Sequence, residues 1–322
     1  MTDSFEQELE RHRGSRCLLV EPAGSFGDQL ILKGIEKKLK QFELKYSILR
    51  IGFGKNLLRS FFECAERWFP QWQRVILRVG PAGFERTIRR NRSRPYRPVR
   101  GGDGRFDAIV INGGGYLNDV WNGYPIFSAL QPILLQNPRA ALIISPQSIL
   151  FRNGTHFEKA VGRLSHRTHF FCREVTSYNL ANSLHLQPNV EVHLSPDPAF
   201  YLTPLDIGCA TTVSYVLMAP RLDRESTVKW HVGEILNKWP RVSIRDIDLL
   251  PNFGSYVSAV ASASEVYTDR LHVSILAALL GKKTHLLPNS YHKNESVYRF
   301  SMKAHSNVEF LDCSQFPPTN QK

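Results

Sequence analysis

No apolar run in this 322-residue chain is long enough to cross a bilayer. Stretches such as Ser274-Ile-Leu-Ala-Ala-Leu-Leu280 end after a few residues, whereas a spanning helix needs about 20. Cysteine is scarce as well. The five (Cys17, Cys64, Cys172, Cys209 and Cys313) are scattered, form no Cys-x-x-Cys pair and add to an odd number. That argues against a disulfide framework or a thiolate zinc site, and for a reducing compartment. No cluster of metal ligands is visible along the chain, so a site without metal or cofactor is expected. Neither a Walker loop nor a complete Gly-x-Gly-x-x-Gly occurs, and there is no helix-turn-helix, zinc-finger or RNP-type segment. The first ten residues are polar and acidic, unlike a secretory signal. They read as part of a flexible leader over residues 1–15, residues 316–322 read as a tail, and a cytoplasmic location is expected.

Positive charge, by contrast, is plentiful, with a formal net charge of +12. Between Arg67 and Arg105 eleven arginines face only Glu85 and Asp103, with Trp68, Phe69, Trp72 and Phe84 interleaved. Read in isolation, such a run is a solvated insert. Aromatics among the cations fit instead a peripheral contact with an anionic membrane surface. Nucleic acid would be attracted by the same charge but ranks well below the membrane, since no recognition motif accompanies it.

Outside that insert, strand and helix signals alternate. Cys17–Val20, Lys45–Ile51, Asp107–Ile111, Ala141–Ile144, His169–Cys172 and Val190–Leu194 read as strands, with helices over Gln29–Phe42, Leu57–Trp68, Pro125–Leu135, Phe157–Leu164 and Val175–Leu184. After Asp197-Pro198 the pattern weakens and then restarts. Val213–Met218, Val242–Ile244, Val266–Thr268 and Thr284–Leu287 read as strands, and Thr227–Lys238, Tyr256–Ala263 and Leu271–Leu280 as helices. Alternation of this kind predicts parallel sheets flanked by helices. The expectation is an α/β chain of two Rossmann-like domains facing a cleft, residues 16–198 (carrying the insert 67–105) and 199–315, with the site in the crevice.

The segments that carry chemistry follow the strands. Gly24-Ser-Phe-Gly-Asp28 opens a helix, whose free N–H groups and dipole favour an anion. A glycine turn with Asp28 capping Leu30 or Ile31 is the plain alternative, slightly favoured by the local sequence. Asn112-Gly-Gly-Gly-Tyr116 follows a strand, and three consecutive glycines cost backbone entropy that a ligand touching the main chain would justify. Ser145-Pro-Gln-Ser148 and Cys172-Arg-Glu-Val-Thr-Ser177 leave strands at the same edge. Arg173 can grip a carboxylate or phosphate bidentately, or pair with Glu174 or a surface acid. In Val266-Tyr-Thr-Asp-Arg-Leu-His272, Asp269 is placed to cap a helix, with Arg270 and His272 in its first turn. A guanidinium and an imidazole there suit anion binding and proton transfer; an exposed first turn with an incidental histidine is the plain alternative. Lys293 adds a cation at the same edge.

Taken together, Gly27-Asp28, Gly113-Gly-Gly115, Ser145-Pro-Gln147, Arg173-Glu-x-x-Ser177, Pro196-Asp-Pro198, Asp269-Arg-Leu-His272 and the Lys293 segment resemble the polysaccharide pyruvyl transferase family, from about Gly24 to Phe300. The chain departs from the family at Ser25-Phe26, where asparagine often precedes the Gly-Asp pair, and at Val273, where glycine often follows the histidine. The resemblance implies a fold similar to GT-B glycosyltransferases. It also implies transfer of pyruvate from phosphoenolpyruvate, as a ketal, onto a sugar that is often lipid-linked. It places the donor anion on Arg173, Arg270, Lys293, Gly113, Gly114, Gly115 and Ser177, acid–base chemistry on His272 with Asp28 as partner, and Gly27, Gln147 and Asp269 in acceptor or supporting positions. A glycosyltransferase using a nucleotide sugar is the alternative of the same architecture. A basic, non-catalytic scaffold ranks last, because it leaves the glycine loops and the Arg-Leu-His turn unexplained.

Overall fold

The computed structural model describes residues 3–22, 24–51, 105–121, 123–151, 154–162, 164–208, 215–221, 223, 225–227 and 242–312. The arginine-rich stretch 67–105 (Arg105 apart), the helices expected at Leu57–Trp68 and over most of Thr227–Lys238, and the tail 316–322 lie outside the described residues. The chain divides into two units. The first holds the described residues up to Leu202 together with Arg299–Ser301; the second runs from Thr203 to Tyr298 and from Met302 onward.

In the first unit, β1 (Arg16–Pro22), β2 (Lys45–Ile51), β3 (Ala108–Ile111), β4 (Ala141–Gln147), β5 (Thr168–Cys172) and β6 (Val190–Leu194) build one sheet in the order β2-β1-β3-β4-β5-β6. Every neighbouring pair is parallel. A parallel sheet is covered on both faces, so its strands read as unbroken apolar runs. Along β1, Leu18 and Val20 join one buried layer with Ile109 and Ile111, while Cys17 and Leu19 join the other with Ala108 and Val110.

Helix α1 (Ser4–Arg11) corrects the expectation of a flexible leader. Asp3 caps it by accepting from the Glu6 N–H at 3.0 Å. Phe5 and Leu9, one turn apart, are fully buried, and Phe5 meets Phe171 edge-on at 5.1 Å. Its polar composition is that of an amphipathic helix with a narrow apolar stripe. Helix α2 (Phe26–Gln41) begins three residues earlier than expected, because Ser25 is the N-cap. Gly34 in its middle lies so close to the 3-10 turn Pro198–Tyr201 that a Cβ there would overlap the Pro198 carbonyl oxygen. Helices α3 (Pro125–Gln136), α4 (Thr155–Val161) and α5 (Val175–Asn182) complete this unit.

The second unit contains α6 (Pro204–Ile207), β7 (Tyr215–Ala219), β8 (Val242–Ile244), α7 (Phe253–Ala261), β9 (Ala263–Thr268), α8 (Leu271–Leu279), β10 (Lys283–Leu286), α9 (Lys293–Val297) and β11 (Val308–Phe310). Its sheet is again parallel throughout, in the order β11-β10-β9-β7-β8. In both units the second strand lies on one side of the first and the third on the other. Strand order therefore reverses between β1 and β3, and again between β7 and β9. Ligands of doubly wound α/β sheets bind outside the carboxyl ends of strands at such reversals. Two Rossmann-like units in one chain make up the GT-B-like α/β composition expected. No helix among the described residues is long and apolar enough to cross a membrane.

Candidate active site

At the β1/β3 reversal the loop into α2 meets the glycine loop after β3. Asp28 does not cap Leu30 or Ile31. Its Oδ2 instead accepts from the Ser25 N–H at 2.6 Å and the Ser25 hydroxyl at 3.0 Å. A carboxylate at the third helical position reaches back to the N-cap in this way. Its other oxygen lies toward the glycine loop, since a Cβ on Gly114 would stand 2.9 Å from Asp28 Oδ1. Gly114 has φ +147°, which L side chains rarely adopt. Gly27 is buried in the first turn of α2. The Asn112 amide donates to the Asp28 carbonyl at 2.9 Å, and Gln147, at the end of β4, donates to the Asn112 carbonyl at 3.1 Å.

Three fully buried acceptor atoms here have no hydrogen-bond partner among the described residues: Asn112 Oδ1, Ser145 Oγ and Gln147 Oε1. Leaving such a group unsatisfied costs about 1–3 kcal/mol, so three in one place at a sheet edge mark a site that something else completes.

Arg173 and Ser177 stand at the end of β5 and are engaged in the protein itself. Arg173 is 1% exposed. Its Nε donates to Ser148 Oγ and its Nη1 to Asp197 Oδ2, both at 2.8 Å. Asp197 is thus an acid it pairs with, while Glu174 caps α5 by accepting from the Ser177 N–H at 2.9 Å. The Ser177 hydroxyl accepts from the Ile149 N–H at 2.9 Å, which fixes the loop after β4.

In the second unit, β7 and β9 release their chains into a dense cluster of charge. Arg270 is itself the N-cap of α8, and His272 is the second helical residue, half-buried. Asp269 does not cap the helix. It accepts from the Arg221 N–H at 2.6 Å and the Ser226 hydroxyl at 2.6 Å, fastening the loop after β7 to the end of β9. Burial raises its carboxyl above the usual range, against the opposing pull of Ser226 and Arg221. Arg270 donates from Nε to the Pro220 carbonyl at 3.0 Å, from Nη2 to Asp246 at 2.7 Å, and from Nη1 to Asp248. Those contacts take three of its five N–H groups. Burial disfavours its charge, but Asp248 and Asp246 more than offset this and hold it above its ordinary value. Lys293 opens α9, buried, and its Nζ donates to Glu225. Glu225 also lies 3.3 Å from Arg221, whose fork meets Asp223 at 3.0 and 2.7 Å. Burial opposes the Glu225 charge, and Arg221 and Lys293 overcome it, so the carboxyl is held low. Burial, reinforced by Asp248, pushes Asp246 up to about 6 against the pull of Arg270.

The structure therefore brings Arg270, His272, Asp269 and Lys293 to one reversal and Asp28, Gly113–Gly115 and Gln147 to the other. Sequence reasoning missed Arg221, Asp223, Glu225, Asp246 and Asp248. Their signal was present: Arg221-x-Asp-x-Glu225 and Asp246-x-Asp248 each follow directly on a strand, as the other site segments do.

The family described as polysaccharide pyruvyl transferase matches residues 26–291. A Bacillus subtilis (strain 168) protein named "Putative pyruvyl transferase EpsO" is 24% identical over 228 residues, 61% of this chain and 69% of that protein. The crystal structure of KP1_0663 from Klebsiella pneumoniae, titled as uncharacterized, superposes with a TM-score of 0.57 at 21% identity, over 95% of this chain and 96% of that one. The UDP-GlcNAc 2-epimerase of Methanocaldococcus jannaschii aligns at a TM-score of 0.48 and 10% identity, over 92% and 89%.

Proposed function

The chain belongs to the polysaccharide pyruvyl transferase family and is a transferase; from that premise we propose that it moves pyruvate from phosphoenolpyruvate to a saccharide as a ketal, using its own side chains without metal or cofactor. The supporting observation is the contrast between the two strand reversals. The second unit's edge is ionic, with Arg270, Arg221 and Lys293 against five carboxylates. The first unit's edge offers neutral acceptors, Asn112, Ser145 and Gln147, lacking partners. Neutral acceptors suit the hydroxyls of a sugar. Guanidinium and ammonium groups suit a phosphate and a carboxylate.

In this reading the donor lies on the Arg270 edge, held by the two N–H groups that Arg270 keeps beyond Asp246, Asp248 and the Pro220 carbonyl and by Lys293. The family implies Arg173 there too, but its pairing with Asp197 gives it a positioning role. The reaction needs one proton delivered to the methylene carbon of phosphoenolpyruvate, and His272 supplies it. The central carbon then takes the oxygen of one sugar hydroxyl, whose proton passes to Asp28 Oδ1, the oxygen not committed to Ser25. The carbon–oxygen bond to phosphate breaks, and phosphate leaves with the electron pair. A second hydroxyl oxygen adds to the same carbon and gives its proton to the departed phosphate, closing the ketal. Cations beside the leaving phosphate stabilise the charge as it develops.

The acceptor is a sugar of a polysaccharide or of its lipid-linked precursor. Peripheral attachment to an anionic membrane through the basic residues 67–105 would keep the enzyme near a lipid-linked sugar. Purified protein incubated with phosphoenolpyruvate and lipid-linked or nitrophenyl sugars should release phosphate only when an acceptor is present. Mass spectrometry should find the sugar carrying one pyruvylidene group. Binding of a nucleoside diphosphate, with none of phosphoenolpyruvate, would replace this reading with the nucleotide-sugar glycosyltransferase.

A further inference from the structure

Away from both strand reversals, the α1 face of the first sheet gathers a group of imidazoles and carboxylates that the transfer reaction does not use. His169 on β5 lies in register with Glu191 on the edge strand β6, and Phe171 with His193. Glu191 and His193 are two residues apart, so they share a face of β6, and β5 brings His169 onto the same face. His169 Nδ1 is 3.2 Å from His193 Nε2 and 3.6 Å from Glu191 Oε2, and His193 Nε2 is 3.7 Å from the same oxygen. Zinc ligands of nitrogen and oxygen sit about 2.0–2.1 Å from the metal, which makes the edge of a tetrahedral site about 3.3–3.4 Å. Three potential ligand atoms thus stand nearly as three corners of such a tetrahedron.

The second nitrogen of His169 carries the partner that metal-ligating histidines usually have. Its Nε2 lies 3.4 Å from Glu8 Oε1, and Glu8, on α1, is only 4% exposed. A carboxylate in that position fixes the tautomer and turns Nδ1 toward the ligand side. A hydrogen bond between the two imidazoles would satisfy Nδ1 and Nε2 alone. One cation would satisfy both nitrogens and Glu191 Oε2 together, while Glu191 Oε1 keeps its pairing with Arg167 at 3.3 Å.

We infer that His169, His193 and Glu191 form a binding site for a divalent transition metal of the zinc class, with Glu8 as outer partner and water in the fourth position. Two imidazoles and one carboxylate suit zinc better than magnesium or calcium, which prefer all-oxygen sets. The ion would pin the edge strand to its neighbour and, through Glu8, fasten α1 to the sheet. That role is structural and independent of the proposed transfer chemistry.

No spacing along the chain announces this set. The ligands come from two strands and their partner from a helix more than 150 positions earlier, so no compact metal motif exists.

The test uses the full untagged chain stripped with EDTA. Titration calorimetry with zinc should show one site per chain, and cobalt in its place should give the visible absorption of a tetrahedral ion. His193→Ala and Glu191→Gln should abolish that site while retaining the wild-type circular dichroism. Both residues are partly exposed, at 29% and 45% of their side chains, so these variants carry the test even if buried His169→Ala fails to fold. Glu8→Gln should weaken binding roughly 10–100-fold, and exposed His185→Ala should leave it unchanged. Absence of a one-to-one site, or wild-type binding by both folded variants, would overturn the inference.

Discussion

Arg173 and Asp197 lock each other inside the first unit, with Nη1 2.8 Å from Oδ2 and side chains 1% and 0% exposed. Removing one member of a buried ion pair strands the other, at a cost of about 3–5 kcal/mol. Asp197→Ala should therefore lose stability on that scale in urea denaturation, helped by loss of the bond that Asp197 Oδ1 accepts from the Ala199 N–H. The double variant Arg173→Met, Asp197→Leu should recover most of the loss. A single variant within about 1 kcal/mol of wild type would show that the pair does not hold the fold.

Gly114→Ala tests the loop after β3. Its φ of +147° strains any side chain, and the new methyl group would press on Asp28 and on the Tyr116 ring. We expect a loss of about 1–3 kcal/mol in stability and a larger rise in KM for the sugar than for phosphoenolpyruvate. An equal rise in both would remove the loop from the acceptor side.

The raised Asp246 carboxyl gives a dependence of known sign. Its folded value, about 6, exceeds the ordinary 3.8, so the native state keeps this proton to higher pH than the unfolded chain does. Its contribution is most favourable below about pH 4 and is lost as pH rises to about 6. Asp246→Asn removes that slope. The difference in melting temperature should shift in the variant's favour between pH 4 and pH 7, as scanning calorimetry can read. A difference flat with pH would contradict the assigned titration.

His272→Ala should lower kcat by about 10²–10⁴-fold, the usual worth of a general acid, with a smaller change in KM for phosphoenolpyruvate. Arg270→Lys keeps the charge but loses the fork, and should act chiefly on that KM. Wild-type turnover in the histidine variant would end its acid–base assignment.

Much of this was legible in the chain. Apolar runs such as Ala108–Ile111 and Ala141–Ile144 announce parallel strands, and the glycine loop and the Arg-Leu-His turn fall where strand order reverses. The pairing of charges was less accessible. Arg173 reaches Asp197, 24 positions away, while the adjacent Glu174 caps α5. Asp269 looks like a cap in sequence, yet it ties down Arg221 and Ser226. Helix α1 hid in a polar segment because only Phe5 and Leu9 mark its buried stripe.

The contact between Gly34 and Pro198 works as a tie beam. Gly34 lies six positions after Asp28 on α2, about 9 Å along the axis, and Pro198 directly follows Asp197, whose oxygen grips Arg173. Strands β1 and β6, which these two segments follow, stand four strand spacings apart, about 19 Å. The joint braces their far ends from outside the sheet. A methyl group added at position 34 would wedge the helix off the turn, and the disturbance would reach Asp28 and Arg173 together although it touches neither.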